Sequence, residues 1–389
     1  MKIAIVGAGL IGRLLALSLH RQAEFKVSLF DKDTKLAHNS AAYAAAGLLT
    51  PLGESLHCEE NIVAMGFESL SLWPSLLASL DEHTFFQQTG TIMVSHEQDK
   101  GDYLRFTRHL QHHYPDQKQH SLNRTQLTEL EPELGRSFTQ GLYLPQEGQI
   151  GNRRLLVALR KQLEQEGIDW LSETLVTEIK TSTHESSISY TAKGADQQSQ
   201  TFDLVLDCRG TGANIKNANY HCAPLTDLRS VRGELFQLFA PDVHLSRPIR
   251  LMHPRYQLYI APKEKGFYVV GATEIESDDS GNMTVRSAME LLSAAYSVHP
   301  GFAEANIRQH ISQSRPAFSD NQPQIIVQDT LIQINGLFRH GFLISPVVLQ
   351  QVLAVVSNKV SGKVQTLPYE HLLAVQTLTP QNTLQPYNT

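Results

Sequence analysis

The feature that most constrains this chain is its opening stretch, Met1-Lys-Ile-Ala-Ile-Val-Gly7-Ala-Gly9-Leu-Ile-Gly12, continued by Lys26-Val-Ser-Leu-Phe-Asp31. An apolar run, a glycine turn, a helical run and a second apolar run ending in an acid prescribe strand, turn, helix and strand. In that layout Gly7 permits the tight turn and Gly9 lets backbone N–H groups approach a pyrophosphate. Gly12 lets the helix lie against the strand, and Asp31, about twenty residues on, is placed to bond ribose hydroxyls. The helix N-terminus adds an anion-binding end. The pattern predicts a dinucleotide site; by itself it does not separate FAD from a nicotinamide.

With 389 residues the chain can bury a large core and is expected to divide into two domains. A hydrophobic content of 41% and a net charge of −6 leave no basic excess for a nucleic acid or an anionic membrane surface. Cys58, Cys208 and Cys222 are widely spaced with no CxxC pair, which excludes a disulfide scaffold and fits a reducing cytoplasm. Lys2 before an apolar run has the look of a secretory leader, but Arg13 interrupts the run and the glycines explain it better. No uninterrupted apolar stretch reads as a membrane span, so a cytoplasmic location is expected.

Further along, Ser40-Ala-Ala-Tyr-Ala-Ala-Ala-Gly47-Leu-Leu-Thr-Pro51 concentrates small residues, suited to backbone lying against a flat ligand or to a tightly packed helix start. Helical patterns fall at about 59–82, 152–166 and 285–297. Strand patterns fall at Gly90-Thr-Ile-Met-Val, Gly141-Leu-Tyr-Leu, Asp169-Trp-Leu, Thr174-Leu-Val-Thr-Glu-Ile and Ser186-Ser-Ile-Ser-Tyr190. Phe202-Asp-Leu-Val-Leu-Asp-Cys-Arg-Gly210 reads as a buried strand rejoining the first sheet. From 229 to 275 the strand signals are dense and suggest an antiparallel sheet of different character. The chain closes with a strand at Leu331, a glycine turn at 336–341 and a helix from Val347 to Val356.

This alternation is where a family resemblance enters. It rests on Gly7-Ala-Gly9-Leu-Ile-Gly12, Ala44-Ala-Ala-Gly47-Leu-Leu-Thr-Pro51, Val231-Arg-Gly-Glu234 and Leu258-Tyr-Ile-Ala-Pro262. Val270-Gly-Ala-Thr273, Ser314-Arg-Pro316 and Phe338-Arg-His-Gly-Phe-Leu-Ile-Ser-Pro346 complete it. With these phrases, over nearly its whole length, the chain resembles the D-amino-acid-oxidase-like FAD proteins, and within them the glycine oxidases of thiamine biosynthesis (ThiO type). The resemblance implies an α/β fold in which a Rossmann-like FAD-binding domain (1–85, 150–225 and 318–389) is interleaved with an α+β substrate domain (86–149 and 226–317) built on an antiparallel sheet.

On that mapping Gly7, Ala8, Gly9, Leu10, Ile11 and Gly12 cradle the pyrophosphate, and Asp31, with Lys32 beside it, holds the adenosine ribose. Ala44, Ala45, Gly47 and Leu48 line the isoalloxazine, Val176 faces the adenine, and Arg209 and Gly210 close the edge. The turn Arg339, His340, Gly341, Phe342 and Leu343 brings backbone N–H groups and a helix N-terminus to the flavin's pyrimidine ring, where they favour negative charge. The implied reaction oxidises an α-amino acid to its imino acid, with hydride passing from Cα to flavin N5 and O₂ reoxidising the flavin to give H₂O₂. Orientation matters more here than a protein acid or base. Arg315 is the implied carboxylate anchor and Tyr259 its hydrogen-bonding companion, with Arg339 beside them. Read without the resemblance, Arg315 could equally pair with a surface acid. Tyr256 and Tyr259, three apart in a strand, face opposite ways.

Some residues depart from the family pattern. Glu274 stands where some members carry methionine, and is expected to point to solvent. Cys208 reads as a buried small residue rather than a covalent flavin link. His253 is a loop histidine near the implied site. His109, His112 and His113 share a helix face but read as a solvated polar face, with no metal expected. No Gly-x-Ser-x-Gly elbow marks a serine hydrolase. The partners implied are a small amino acid, glycine first, and O₂. No nucleic acid or membrane is expected, and a homo-oligomer fits the family although no interface is legible. The competing readings are a broader D-amino-acid oxidase or dehydrogenase using a quinone or partner acceptor, processing of an N-carboxymethyl group on a modified base, a flavin-binding protein without turnover, and a nicotinamide dehydrogenase.

Overall fold

The computed structural model describes residues 1–134, 137–214, 225, 227–253, 258–279, 281–363 and 365–378. The opening strand, Lys2–Val6, lies inside a seven-stranded sheet. On one side it pairs in parallel with Lys26–Phe30 and then Asp169–Leu171; on the other it pairs with Leu204–Asp207 and Leu331–Asn335. Gln324–Gln328 adds antiparallel to Leu331–Asn335, and Val375–Leu378 closes the edge in parallel. These strands are apolar almost throughout because both faces are covered.

The period-two alternation of a strand sorts the side chains cleanly. Ile3 and Ile5 point into a core shared with the helices Leu10–His20, Glu60–Ala78, Asn152–Gln165 and Gly341–Ser361. Ala4 and Val6 point the other way, against Val176, Ile179, Ile188 and Phe202 of a three-stranded antiparallel sheet formed by Thr174–Thr181, Ser186–Ala192 and Gln197–Phe202. Each fully buried aliphatic side chain in such layers contributes roughly 1.5–3 kcal/mol. The glycine turn after Val6 is therefore clamped from both faces.

A second, nine-stranded sheet is mostly antiparallel. Its centre is the long strand Arg229–Phe239, flanked by Phe267–Gly271 and by Asn306–Ala317. Leu258–Pro262, Ile249–Met252 and Thr91–Ser95 extend it outward, the last two running parallel. The helix Val285–Val298 packs Leu291, Ala294 and Val298 onto Ile260, Val270 and Ile92 of this sheet. A small sheet of Leu48–Leu49, Gly148–Ile150 and Phe86–Gln87 ties the two larger ones together.

Three expectations need correction. The last helix starts at Gly341, six residues before Val347, and carries Pro346 inside it. Proline removes the N–H that would bond the Phe342 carbonyl four residues back; the indole N–H of Trp73 donates to that carbonyl instead, at 3.1 Å. The same helix, counted from Phe338, is long and apolar enough to cross a membrane by length and composition, contrary to the expectation that no such stretch exists. Its apolarity has a local reason: 72% of that window is buried inside the protein, against the helices Glu60–Ala78 and Leu10–His20. The third correction is the strand Asn306–Ala317, whose polar, half-exposed sequence carried no strand signal beyond the Ser314-Arg-Pro316 phrase.

Candidate active site

A cavity of about 960 Å³ runs from the first glycine turn to the edge of the antiparallel sheet. That is at the upper end of the range for small-molecule sites, about 300–1,000 Å³. At the turn, Gly7 has φ +101°, and a Cβ there would lie 2.6 Å from the Cys208 carbonyl oxygen. A Cβ on Gly12 would lie 1.8 Å from the Gly7 carbonyl oxygen, so helix and turn touch backbone to backbone. Gly9 is different: a Cβ there meets no protein atom within 4 Å and projects into open space. The protein itself does not need a glycine at position 9 for room; a ligand lying on the turn does. This is the cradle that a pyrophosphate fits.

Asp31 directly follows the second strand, Lys26–Phe30, and its carboxylate is held by two backbone donors. Ala8 N–H donates to Oδ2, and Asp33 N–H to Oδ1 at 2.7 Å. Burial pushes the Asp31 carboxyl upward, and these two hydrogen bonds oppose that. The structure places Gly7, Gly9, Leu10, Ile11, Asp31, Lys32, Ala44, Ala45, Gly47, Leu48, Val176, Arg209 and Gly210 along this cavity. Ala8 and Gly12 do not line it: one N–H is spent on Asp31, and the other residue lies beneath Gly7. Arg209 is fixed by a two-pronged pair with Asp207, Nε to Oδ1 at 2.8 Å and Nη2 to Oδ2 at 2.7 Å.

Arg339, His340, Gly341, Phe342 and Leu343 also line the cavity, because the helix of which Gly341 is the first residue points its N-terminus there. His340 is buried, its Nδ1 has no hydrogen-bond partner, and burial pushes its pKa down to about 4, so the ring is neutral near pH 7.

The far end of the cavity gathers Tyr259, Arg315, Arg339, Glu54 and Glu274. Antiparallel register does much of this, setting Arg315 opposite Val231 and Tyr259 opposite Gly271. A Cβ on Gly233 would lie 2.2 Å from Arg315 Nη2, so the guanidinium rests against bare backbone. Its Nη1 donates to the Thr273 carbonyl at 3.2 Å, and among the described residues it has no carboxylate partner. Burial pushes its pKa down, with the nearby Tyr259 acting in the opposite sense. A desolvated, unneutralised guanidinium facing a cavity is an anion-binding element.

Arg339 behaves differently. Its Nη2 meets Glu54 and its Nη1 meets Glu274, each at 2.9 Å. Glu54 is in turn held by Arg250 Nη1 at 2.6 Å, and that same nitrogen donates to Thr50 Oγ1 at 3.1 Å. Burial would raise the Glu54 carboxyl, but the Arg250 and Arg339 charges overcome it and hold it well below the usual carboxylate range. Glu274 thus corrects the expectation that it points idly to solvent: it is half exposed yet ion-paired on the cavity wall.

Glu54 carried no sequence signal, and Arg250 stood only at the head of the phrase Arg250-Leu-Met-His-Pro-Arg-Tyr256, with no site role read from it. Glu54 follows the small-residue run by a few positions, and Arg250 lies nearly two hundred residues away. Lys263 was also missed; it is a buried amine bonded to Gln149 Oε1 at 2.8 Å and the Ile150 carbonyl at 3.1 Å. Cys208 lines the cavity as a thiol whose pKa burial raises well above the ordinary value. His253 does not line it, and Tyr256 lies outside the described residues.

A glycine cradle joined through one cavity to an arginine with no carboxylate partner among the described residues is the arrangement of a dinucleotide-binding enzyme with an anion site at the far end. Comparison makes this specific: the profile of the DAO family, FAD dependent oxidoreductase, matches residues 2–350. The chain is 33% identical over 352 residues to a putative thiamine biosynthesis oxidoreductase ThiO from Rhizobium etli, covering 90% of this chain and 95% of that one. The protein therefore belongs to the DAO family of FAD-dependent oxidoreductases, and FAD is the cofactor that its glycine cradle fits. Its fold matches a glycine oxidase from Geobacillus kaustophilus with a TM-score of 0.78 at 22% identity, over 97% of this chain and 100% of the other. An iminodiacetate oxidase from Chelativorans sp. BNC1 matches with a TM-score of 0.75 at 19% identity, over 97% and 100% of the two chains.

Proposed function

We propose that this enzyme oxidises a small α-amino acid, glycine foremost, to its imino acid with O₂ as the final acceptor, and that the imine feeds the thiazole branch of thiamine biosynthesis. The observation that carries the reading is Arg315, half-buried at the cavity wall with no carboxylate partner among the described residues. Its identity of 33% with the Rhizobium ThiO supports the place in thiamine synthesis, and its fold likeness to glycine oxidase supports the amine chemistry.

On this reading residues 1–85, 150–225 and 318–389 hold the cofactor, and 86–149 and 226–317 hold the substrate. Gly7, Gly9, Leu10 and Ile11 take the pyrophosphate, Asp31 the ribose, Val176 the adenine, and the backbone of Ala44–Leu48 the flavin ring. When bound there, FAD would supply the acceptor for the hydride of the Cα–H bond, and with O₂ as final acceptor the second product would be H₂O₂.

The protein's own work is placement and electrostatics. Arg315 grips the substrate carboxylate with a planar fork, and the Tyr259 hydroxyl donates to the same group. Fixing the carboxylate at one end fixes where Cα and the amine lie, which removes orientational entropy from the chemical step. Burial raises the Tyr259 pKa, so the phenol stays protonated and remains a donor. The N-terminus of Gly341–Ser361, with neutral His340 beside it, offers N–H dipoles where negative charge collects on the ring. The substrate ammonium gives up one proton to solvent to become the neutral amine, whose lone pair then forms the C=N bond as hydride leaves, so no lining side chain need abstract a proton from Cα.

The test is an anaerobic titration of the FAD-loaded protein with glycine, D-alanine and sarcosine, following visible flavin absorption. Loss of colour fastest with glycine is the expected result. Colour untouched by glycine would move the substrate to a larger amine, and turnover in air without H₂O₂ would remove O₂ as acceptor.

A further inference from the structure

The charged groups at the substrate end form an alternating chain. Arg250 meets Glu54 at 2.6 Å, Glu54 meets Arg339 at 2.9 Å, and Arg339 meets Glu274 at 2.9 Å. Two cations and two anions cancel along it. Arg315 stands outside the chain, bonded to the carbonyl of Thr273, the residue just before Glu274. Among the described residues the substrate end thus holds one uncompensated positive charge, matched to one carboxylate.

The links are not equivalent. Arg250 and Glu54 are locked in the interior, whereas the Glu274 side chain is 50% exposed and forms the open end of the chain on the cavity wall. We infer that Glu274 is a specificity-determining residue: by occupying Nη1 of Arg339 it leaves Arg315 as the sole free guanidinium among the lining residues described, and so excludes dicarboxylate amines. Without the Glu274 charge, three arginines face one glutamate. Arg339, still held by Glu54 through Nη2, then offers Nη1 to a second carboxylate in the same cavity, and rejection of a second carboxylate turns into recognition. The inference rests on the reading of Arg315 as the carboxylate anchor.

The experiment compares FAD-loaded wild type with Glu274→Gln and Glu274→Asp, using calorimetric titration with glycolate and malonate, which mimic one and two carboxylates and carry no amine. Glu274 lies at the cavity surface, so flavin retention serves as the folding check. Wild type is expected to prefer glycolate, and Glu274→Gln to bind malonate at least about tenfold tighter than wild type does, since a freed guanidinium gains a charge-assisted pair. Glu274→Asp, which keeps the charge, should stay on the wild-type side. Malonate affinity in Glu274→Gln within about twofold of wild type, or a wild type that already takes malonate as well as glycolate, overturns the inference while glycolate binding leaves the anchor standing. A wild type that binds neither probe brings down the anchor reading and the inference with it.

Discussion

Replacing Glu54 by glutamine perturbs one atom type and leaves the shape nearly unchanged. The wild-type carboxylate accepts from Arg250 at 2.6 Å and from Arg339 at 2.9 Å, in surroundings that leave its side chain only 12% exposed. Removing one partner of a buried ion pair costs about 3–5 kcal/mol, because the remaining charge is left desolvated. Two guanidiniums lose their counterion here, but Arg339 retains Glu274 and Arg250 retains Thr50, so the loss should sit near the lower bound, about 3 kcal/mol. In a chain this long each kcal/mol moves the midpoint by roughly 1–2 °C, so the thermal transition should fall by about 3–6 °C at fixed FAD concentration. The pH dependence gives a second handle. Because the folded carboxyl is held below its unfolded value, Glu54 contributes its full stabilisation above the unfolded value of 4.5 and loses it as pH falls toward the folded value. The gap between wild type and Glu54→Gln should therefore be constant from about pH 6 to 8 and shrink below about pH 4.5. A midpoint shift under about 1 °C, or a gap that widens on acidification, would refute the claim that this carboxylate anchors both arginines.

Three shorter predictions follow from other parts of the site. Gly9→Val should fold normally, since a Cβ there meets nothing within 4 Å, yet purify without yellow colour; a fully flavinylated variant would misplace the pyrophosphate. Arg315→Ala should raise the apparent KM for glycine by roughly 100-fold, the worth of a charge-assisted two-pronged bond, and an unchanged KM would be incompatible with the anchor role. Lys263, whose pKa burial lowers to about 7 from 10.5, favours the folded state more as pH rises between those values. Denaturant unfolding should accordingly show Lys263→Met gaining on wild type when moved from pH 9 to pH 6, by on the order of 2 kcal/mol, whereas an equal difference at both pH values would mean the amine is not desolvated.

Much of this protein was legible along the chain because the informative contacts are local or periodic. The turn from Val6 to Gly12 requires glycine for reasons contained within itself and its adjoining strand, and Asp31 terminates a strand whose apolar run can be read directly. Most residues singled out around the glycine turn therefore line the cavity, with Ala8 and Gly12 serving the turn's own packing instead of the cavity wall. The start of the last helix was hidden because Pro346 looks like a boundary; only the indole of Trp73, far away in sequence, makes a helix through it tolerable. The strand Asn306–Ala317 was hidden for a related reason: polar residues hold it by ladder bonds to Arg229–Phe239, and ladder bonds leave no mark on side-chain patterning.

At the substrate end the division is sharper. Motif resemblance singled out Tyr259, Arg315 and Arg339 as residues, but it said nothing of which guanidinium is free. That difference is electrostatic and depends on Glu54, Glu274 and Arg250, drawn from three separated segments. Sequence alone determined the fold class and the glycine turn, since steric and hydrophobic constraints repeat over short spans. Which charges cancel was decided only when tertiary packing brought oppositely charged side chains within 3 Å of one another, with Glu54, Arg250 and Arg339 largely shielded from water so that their attraction is weakly screened.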